Sequence, residues 1–110
     1  MTNDIDTLLN ALAEFTEERD WDQFHNPKDL AMAISIEANE LLELFLWKSP
    51  SEANQEKVKE ELADILSFTF LLAKKYNLDI KQIMLDKIVL NKQKYPIDKS
   101  KGTAKKYTEL

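Results

Sequence analysis

Apolar residues recur at steps of three and four along most of this chain, the spacing that lines one face of a helix. Ile5, Leu8, Leu9, Leu12 and Phe15 form the first such stripe. It predicts a helix capped by Asn3 or Asp4 and ending near Arg19. The run Asp20-Trp21-Asp22-Gln23-Phe24-His25 has no clean period and predicts an ordered, aromatic-rich loop. Asn26-Pro27 reads as an N-cap followed by proline at the first helical position, opening a second helix to about Trp47. Ser49-Pro50-Ser51 breaks the chain and supplies the cap of a third helix reaching about Tyr76, with Asn77 as its left-handed stop. Asp79 with Gln82 three residues later resembles a capping box for a fourth helix, which cannot run normally through Pro96. Ile97 to Leu110 is polar and Lys-rich and reads as an extended or flexible tail. One Gly and three Pro leave few tight turns, so the expected class is all-α, in a single domain over residues 1–110 without repeats.

Two features break the apolar pattern. The face Leu30, Ala33, Glu37, Glu40, Leu44, Trp47 is a core-facing stripe with two acids in its middle. Glu61-Leu62-Ala63-Asp64 repeats the spacing, with Asp64 set inside the run Leu62-Ala63-Asp64-Ile65-Leu66. Members of each pair lie a turn apart on one helix face. Glu43 and Glu60 lie off these faces and read as surface residues. Any single Glu is more often solvated than functional. Four acids converging in a helical core would instead repel one another and be costly to desolvate. A divalent cation is the simplest remedy, and oxygen-only ligands favour Mg²⁺ or Mn²⁺. A ferritin-like di-iron site is disfavoured, because it wants Glu-x-x-His on two helices and His25 is the only histidine.

Composition narrows the partners. The chain has 110 residues, 44% apolar, with a net charge of −5, which argues against general nucleic-acid binding. It has no cysteine, hence no disulfide, thiolate site or thiol nucleophile. No signal-peptide pattern or membrane-length apolar run stands out. A soluble, cytoplasmic protein without nucleic-acid or membrane partners is expected. A chain this short also leaves much apolar surface to bury against a second copy, with Phe70, Leu71 and Leu72 on adjoining faces.

A carboxylate-held Mg²⁺ suits phosphate chemistry. Lys87, Asn91 and Lys94 share one face of the fourth helix, and Lys99, Lys101, Lys105 and Lys106 follow in the tail. Alone, such lysines are usually solvated; beside a metal they suit a polyphosphate. Trp21, Phe24, His25 and Trp47 can form a slot for a flat base, or plug the ends of a bundle.

These residues resemble the all-α nucleoside triphosphate pyrophosphohydrolases, the MazG-like group, and within it the dCTP pyrophosphatase branch. Glu-x-x-Glu followed about twenty residues on by Glu-x-x-Asp is that group's signature. The branch is echoed by Glu18 to His25, by Glu40 to Lys48, by Glu60-Glu61-Leu62-Ala63-Asp64, by Asn91-Lys92-Gln93-Lys94-Tyr95-Pro96 and by Lys105-Lys106-Tyr107-Thr108. The resemblance spans roughly residues 15 to 109. It implies an antiparallel four-helix bundle assembling as a dimer or dimer of dimers. It implies Mg²⁺-dependent hydrolysis of a nucleoside triphosphate, dCTP-like, to the monophosphate and pyrophosphate, clearing the nucleotide pool. Glu37, Glu40, Glu61 and Asp64 would hold the metal. Trp21, Asp22, Gln23, Phe24 and His25, with Trp47, would form the base pocket. Phe68 stands where the branch often carries Tyr, so a hydroxyl is missing there. Lys87, Asn91 and Lys94, with Tyr95, Lys106 and Tyr107, would serve the triphosphate end; Lys94 stands where Arg is common. The rival expectations are an enzyme of the same class preferring purine or other nucleotides, and a non-enzymatic helical module.

Overall fold

The computed structural model describes residues 3–110, and among them every regular element is helical. They fall into two compact units, one ending at Leu78 and the other running Asp79–Leu110. The first holds α1 (Asp4–Glu18), a 3₁₀ turn (Asp22–Phe24), α2 (Pro27–Glu43), a second 3₁₀ turn (Pro50–Glu52) and α3 (Gln55–Lys75). The second holds α4 (Ile80–Lys94), the single turn α5 (Ile97–Ser100) and a 3₁₀ turn (Tyr107–Glu109). No helix among the described residues is long and apolar enough to cross a membrane.

The helix starts follow the cap chemistry in the sequence. Asn3 Oδ1 accepts from Asp6 N at 2.8 Å, and Asn26 Oδ1 accepts from Asp29 N at 2.9 Å ahead of Pro27. Asp79 Oδ1 accepts from Gln82 N at 2.9 Å, but the Gln82 amide turns to Asp86 instead of returning to the cap, so the box is half-formed. Asn77 is left-handed (φ 54°) after α3, and α4 ends before Pro96.

Three expectations need correction. α2 stops at Glu43, not near Trp47. Leu44, Phe45 and Leu46 each donate to the carbonyl three residues back, a tightened last turn, and Trp47 (φ 61°) takes the left-handed conformation. The extended backbone of Ser49 (ψ 160°) before Pro50 supplies the reason, since a helix cannot continue into that pair. Ser49 does not cap α3 either. Its hydroxyl and amide engage Glu52 in a capping box on the 3₁₀ turn, and Asn54 caps α3. The tail is not wholly extended, because α5 and the last 3₁₀ turn lie in it.

In the first unit α3 packs chiefly against α2 and over a smaller contact against α1. Leu30 is its best-buried large side chain, at 1% exposure, with Ala73 and Thr16 also buried. Thr16 donates its hydroxyl to the Leu12 and Ala13 carbonyls, which satisfies it without leaving the helix. Many large apolar side chains stay exposed, among them Leu8, Ile36, Leu42, Leu62 and Leu66, and in the second unit Met84, Ile88, Val89 and Ile97. The run Leu62-to-Leu66 around Asp64 is thus largely on the surface of the single chain.

Candidate functional site

The pairing of α2 with α3 brings the two acid motifs together. Glu37, Glu61 and Asp64 each offer a carboxylate oxygen, and these oxygens lie within 4.8 Å of one another. Glu37 and Glu61 are half-buried and Asp64 is exposed. Glu37 Oε2 and Glu61 Oε2 are shielded from water and have no hydrogen-bond partner as ionised groups, because two acceptors face each other without a donor. A proton shared with Glu61 is the largest influence lifting the Glu37 carboxyl from 4.5 to about 8; burial and then Glu40, one turn along α2, push the same way. Orphaned buried oxygens, an all-oxygen donor set and a carboxyl that cannot ionise cheaply are what a divalent cation relieves. The residues therefore fit a divalent cation. Glu40 is exposed and stands beside Glu37, outside the tight triad.

Asp64 also borders a cavity of about 430 Å³ between α1, α3 and the aromatic loop, lined by Leu12, Phe15, Thr16, Trp21, His25, Asp64, Ser67, Phe68 and Leu71. Trp21 packs edge-on against Phe15, with centroids 5.5 Å apart and planes at 81°. The Arg19 guanidinium sits 4.0 Å over the centroid of that Phe15 ring. His25 Nδ1 is buried in the wall without a partner. Trp21, His25 and Phe68 thus meet at one cavity. The other pocket candidates are placed differently. Asp22 accepts from Lys75 Nζ at 2.8 Å, and that ammonium holds its carboxyl below the usual range. The Gln23 amide donates to Asp20, and Phe24 is exposed. Trp47 is 99% exposed and does not line this cavity.

In the second unit, Lys94 Nζ lies 4.8 Å over the Tyr107 ring, and Tyr95 meets Tyr107 edge-on at 6.0 Å. Lys94, Tyr95 and Tyr107 thus form one cluster, with Lys106 immediately before its 3₁₀ turn. Lys87 and Asn91 are exposed on α4.

Sequence reading missed the α1 wall and Lys75. Leu12, Phe15 and Thr16 share one α1 face; Asp64, Phe68, Leu71 and Lys75 follow one α3 face at helical steps. Extending the acid stripe along α3 would have found the latter.

The MazG-like family model matches residues 32–110. The chain is 42% identical to dCTP pyrophosphatase 1 of Mus musculus over 96% of its own length and 67% of that protein's. The Homo sapiens protein of the same name is 38% identical over the same shares. A pyrophosphatase of known structure from Archaeoglobus fulgidus superposes with a TM-score of 0.81 at 35% identity, covering 87% of this chain and 95% of that one. A family match over residues 32–110, together with 42% identity to a relative over most of both chains, places the protein in the MazG-like family.

Proposed function

We propose that this chain hydrolyses a deoxynucleoside triphosphate, dCTP-like in its base, to the monophosphate and pyrophosphate. The observation that carries the reading is the acid triad opening onto an aromatic cavity: Glu37 and Glu61 hold oxygens without partners, and Asp64 belongs both to the triad and to the cavity wall. The names of the relatives support the reaction class and the base. Glu37, Glu40, Glu61 and Asp64 are the proposed metal ligands, with Mg²⁺ as the ion and Mn²⁺ as its substitute. The bound ion supplies positive charge against phosphate oxygens and acidifies water at the site.

The chain's own residues do the rest. Trp21 and Phe68 give apolar faces for a flat base, and the unpartnered His25 Nδ1 reads its edge. Half-burial keeps bulk water from Glu37 Oε2 and Glu61 Oε2, which strengthens their pull on the ion. Lys87, Asn91, Lys94, Tyr95, Lys106 and Tyr107 are the proposed phosphate-side groups. Phe68 brings no hydroxyl, so base selection falls largely on His25. With four deoxynucleoside triphosphates and Mg²⁺, pyrophosphate release is expected to be fastest from dCTP by about tenfold or more. His25→Ala should flatten that preference more than it lowers the best rate. Equal rates in the wild type would reject the base assignment.

The proposed assembly is a single domain over 1–110, in the antiparallel four-helix bundle of the family, working in the cytoplasm as a dimer or dimer of dimers. The exposed apolar side chains on every long helix support association. So does Trp47, which stands in solvent in one chain and meets a base only if a second copy presents one. Light scattering at micromolar concentration should give a dimer or tetramer; a clean monomer would overturn the assembly and the pocket role of Trp47.

A further inference from the structure

The aromatic loop between α1 and α2 has one side-chain tie to α3. Its backbone bonds are local: Trp21 N to Thr16 O, Phe24 N to Trp21 O and His25 N to Asp22 O. The Gln23 side chain stays within the loop, on Asp20. Trp21 leans on Phe15 of α1. Only Asp22 reaches across, to Lys75 in the last turn of α3, and among the described residues this is the single side-chain hydrogen bond between residues distant in the chain. The Lys75 side chain is 29% exposed and Asp22 72%, so the lysine stem lies along the protein while its ammonium meets the carboxylate at the surface.

Asp22 stands between Trp21 and His25, which both line the cavity, and α3 supplies the opposite wall through Asp64, Ser67, Phe68 and Leu71. The tie therefore joins the two walls of the cavity. We propose that Lys75 is a positioning residue for nucleotide: through Asp22 it clamps the loop against α3 and holds Trp21 and His25 at the spacing a base requires. This rests on the nucleotide reading above. It reassigns Asp22 from contacting substrate to anchoring the loop that does.

The pair is exposed, so its effect is bounded. Surface ion pairs shift equilibria by no more than about fivefold, and less at high salt. Lys75→Met is expected to raise KM for dCTP about three- to fivefold with kcat within twofold. Lys75→Arg, which keeps the charge, should restore KM. Asp22→Asn should match Lys75→Met, and the double variant should be no worse than either. Raising the salt should raise KM of the wild type toward that of Lys75→Met.

A second readout needs no turnover. In a Trp47→Phe background Trp21 is the only tryptophan, and with excitation selective for indole Lys75→Met should increase its collisional quenching by acrylamide by about half, with Lys75→Arg reversing the change. Unchanged KM and unchanged quenching in Lys75→Met would overturn the proposal. So would a rise in KM that Lys75→Arg fails to reverse. If the wild type hydrolyses no triphosphate, the functional reading fails, while Trp21 quenching still decides whether Lys75 clamps the loop.

Discussion

Asp64→Asn is expected to lower turnover by at least about a hundredfold, about 2.7 kcal/mol of barrier, while the fold survives. Asp64 is exposed, and no hydrogen bond of its carboxylate holds α3 together, so an amide of the same shape costs little stability. Yet its oxygen completes the triad with Glu37 and Glu61 within 4.8 Å, and Asp64 is the triad member that lines the cavity. A neutral amide there leaves the cation with one fewer charge on the substrate side. Glu40→Gln should lose activity for the same reason, since Glu40 is proposed as the fourth ligand. Glu43→Gln, also on α2 but exposed and off the acid face, is the control and should stay within twofold. Steady-state rates with thermal melts decide the matter. More than about a tenth of wild-type activity in a folded Asp64→Asn protein would falsify a ligand role for that residue.

The second large effect is on stability. The Glu37 carboxyl is raised from 4.5 to about 8 in the folded chain, first by the proton shared with Glu61 and then by burial. Below about pH 4.5 both folded and unfolded chains hold this proton, and its contribution is fully present. Between 4.5 and 8 the unfolded chain releases the proton while the folded chain keeps it. Each pH unit then favours unfolding by up to about 1.4 kcal/mol, and the contribution is gone above about 8. In a chelator, the melting temperature of the wild type should fall as pH rises from 5 to 8 more steeply than that of Glu37→Gln, which has no proton to lose there. Mg²⁺ needs ionised ligands, so it should stabilise the wild type more at pH 8 than at pH 5 and flatten the curve. Parallel curves for the two proteins without metal would contradict the strained cluster.

Much of this site was readable because its information is local. Three-residue spacing put Glu37 with Glu40 and Glu61 with Asp64 on single helix faces, and an acid inside a Leu and Ala stripe is conspicuous. Asn3, Asn26-Pro27, Asn77 and Asp79 act within one turn of themselves, so they marked their helix ends correctly. What failed depended on competition between neighbouring signals. Ser49 and Asn54 are both good caps, and only the fold shows that Glu52 takes Ser49 into a 3₁₀ turn, leaving α3 to Asn54. Leu44 to Trp47 continues the apolar period past the real end of α2, because the Ser49-Pro50 restriction acts backwards through a tightened turn. Helical steps put Lys75 on the acid face of α3, but no local rule pairs it with Asp22, 53 residues away. Leu12 and Phe15 of the α1 wall read only as part of an apolar stripe, and Thr16 carried no signal.

The most direct test of the account is the fate of solvent oxygen. In the proposed reaction water attacks the α-phosphorus, the bond from that phosphorus to the bridging oxygen breaks, and pyrophosphate leaves. Hydrolysis of dCTP with Mg²⁺ in heavy-oxygen water, followed by phosphorus NMR, should place one heavy oxygen in dCMP and none in the pyrophosphate. Heavy oxygen in pyrophosphate, release of orthophosphate with dCDP, or no Mg²⁺-dependent product at all would contradict it.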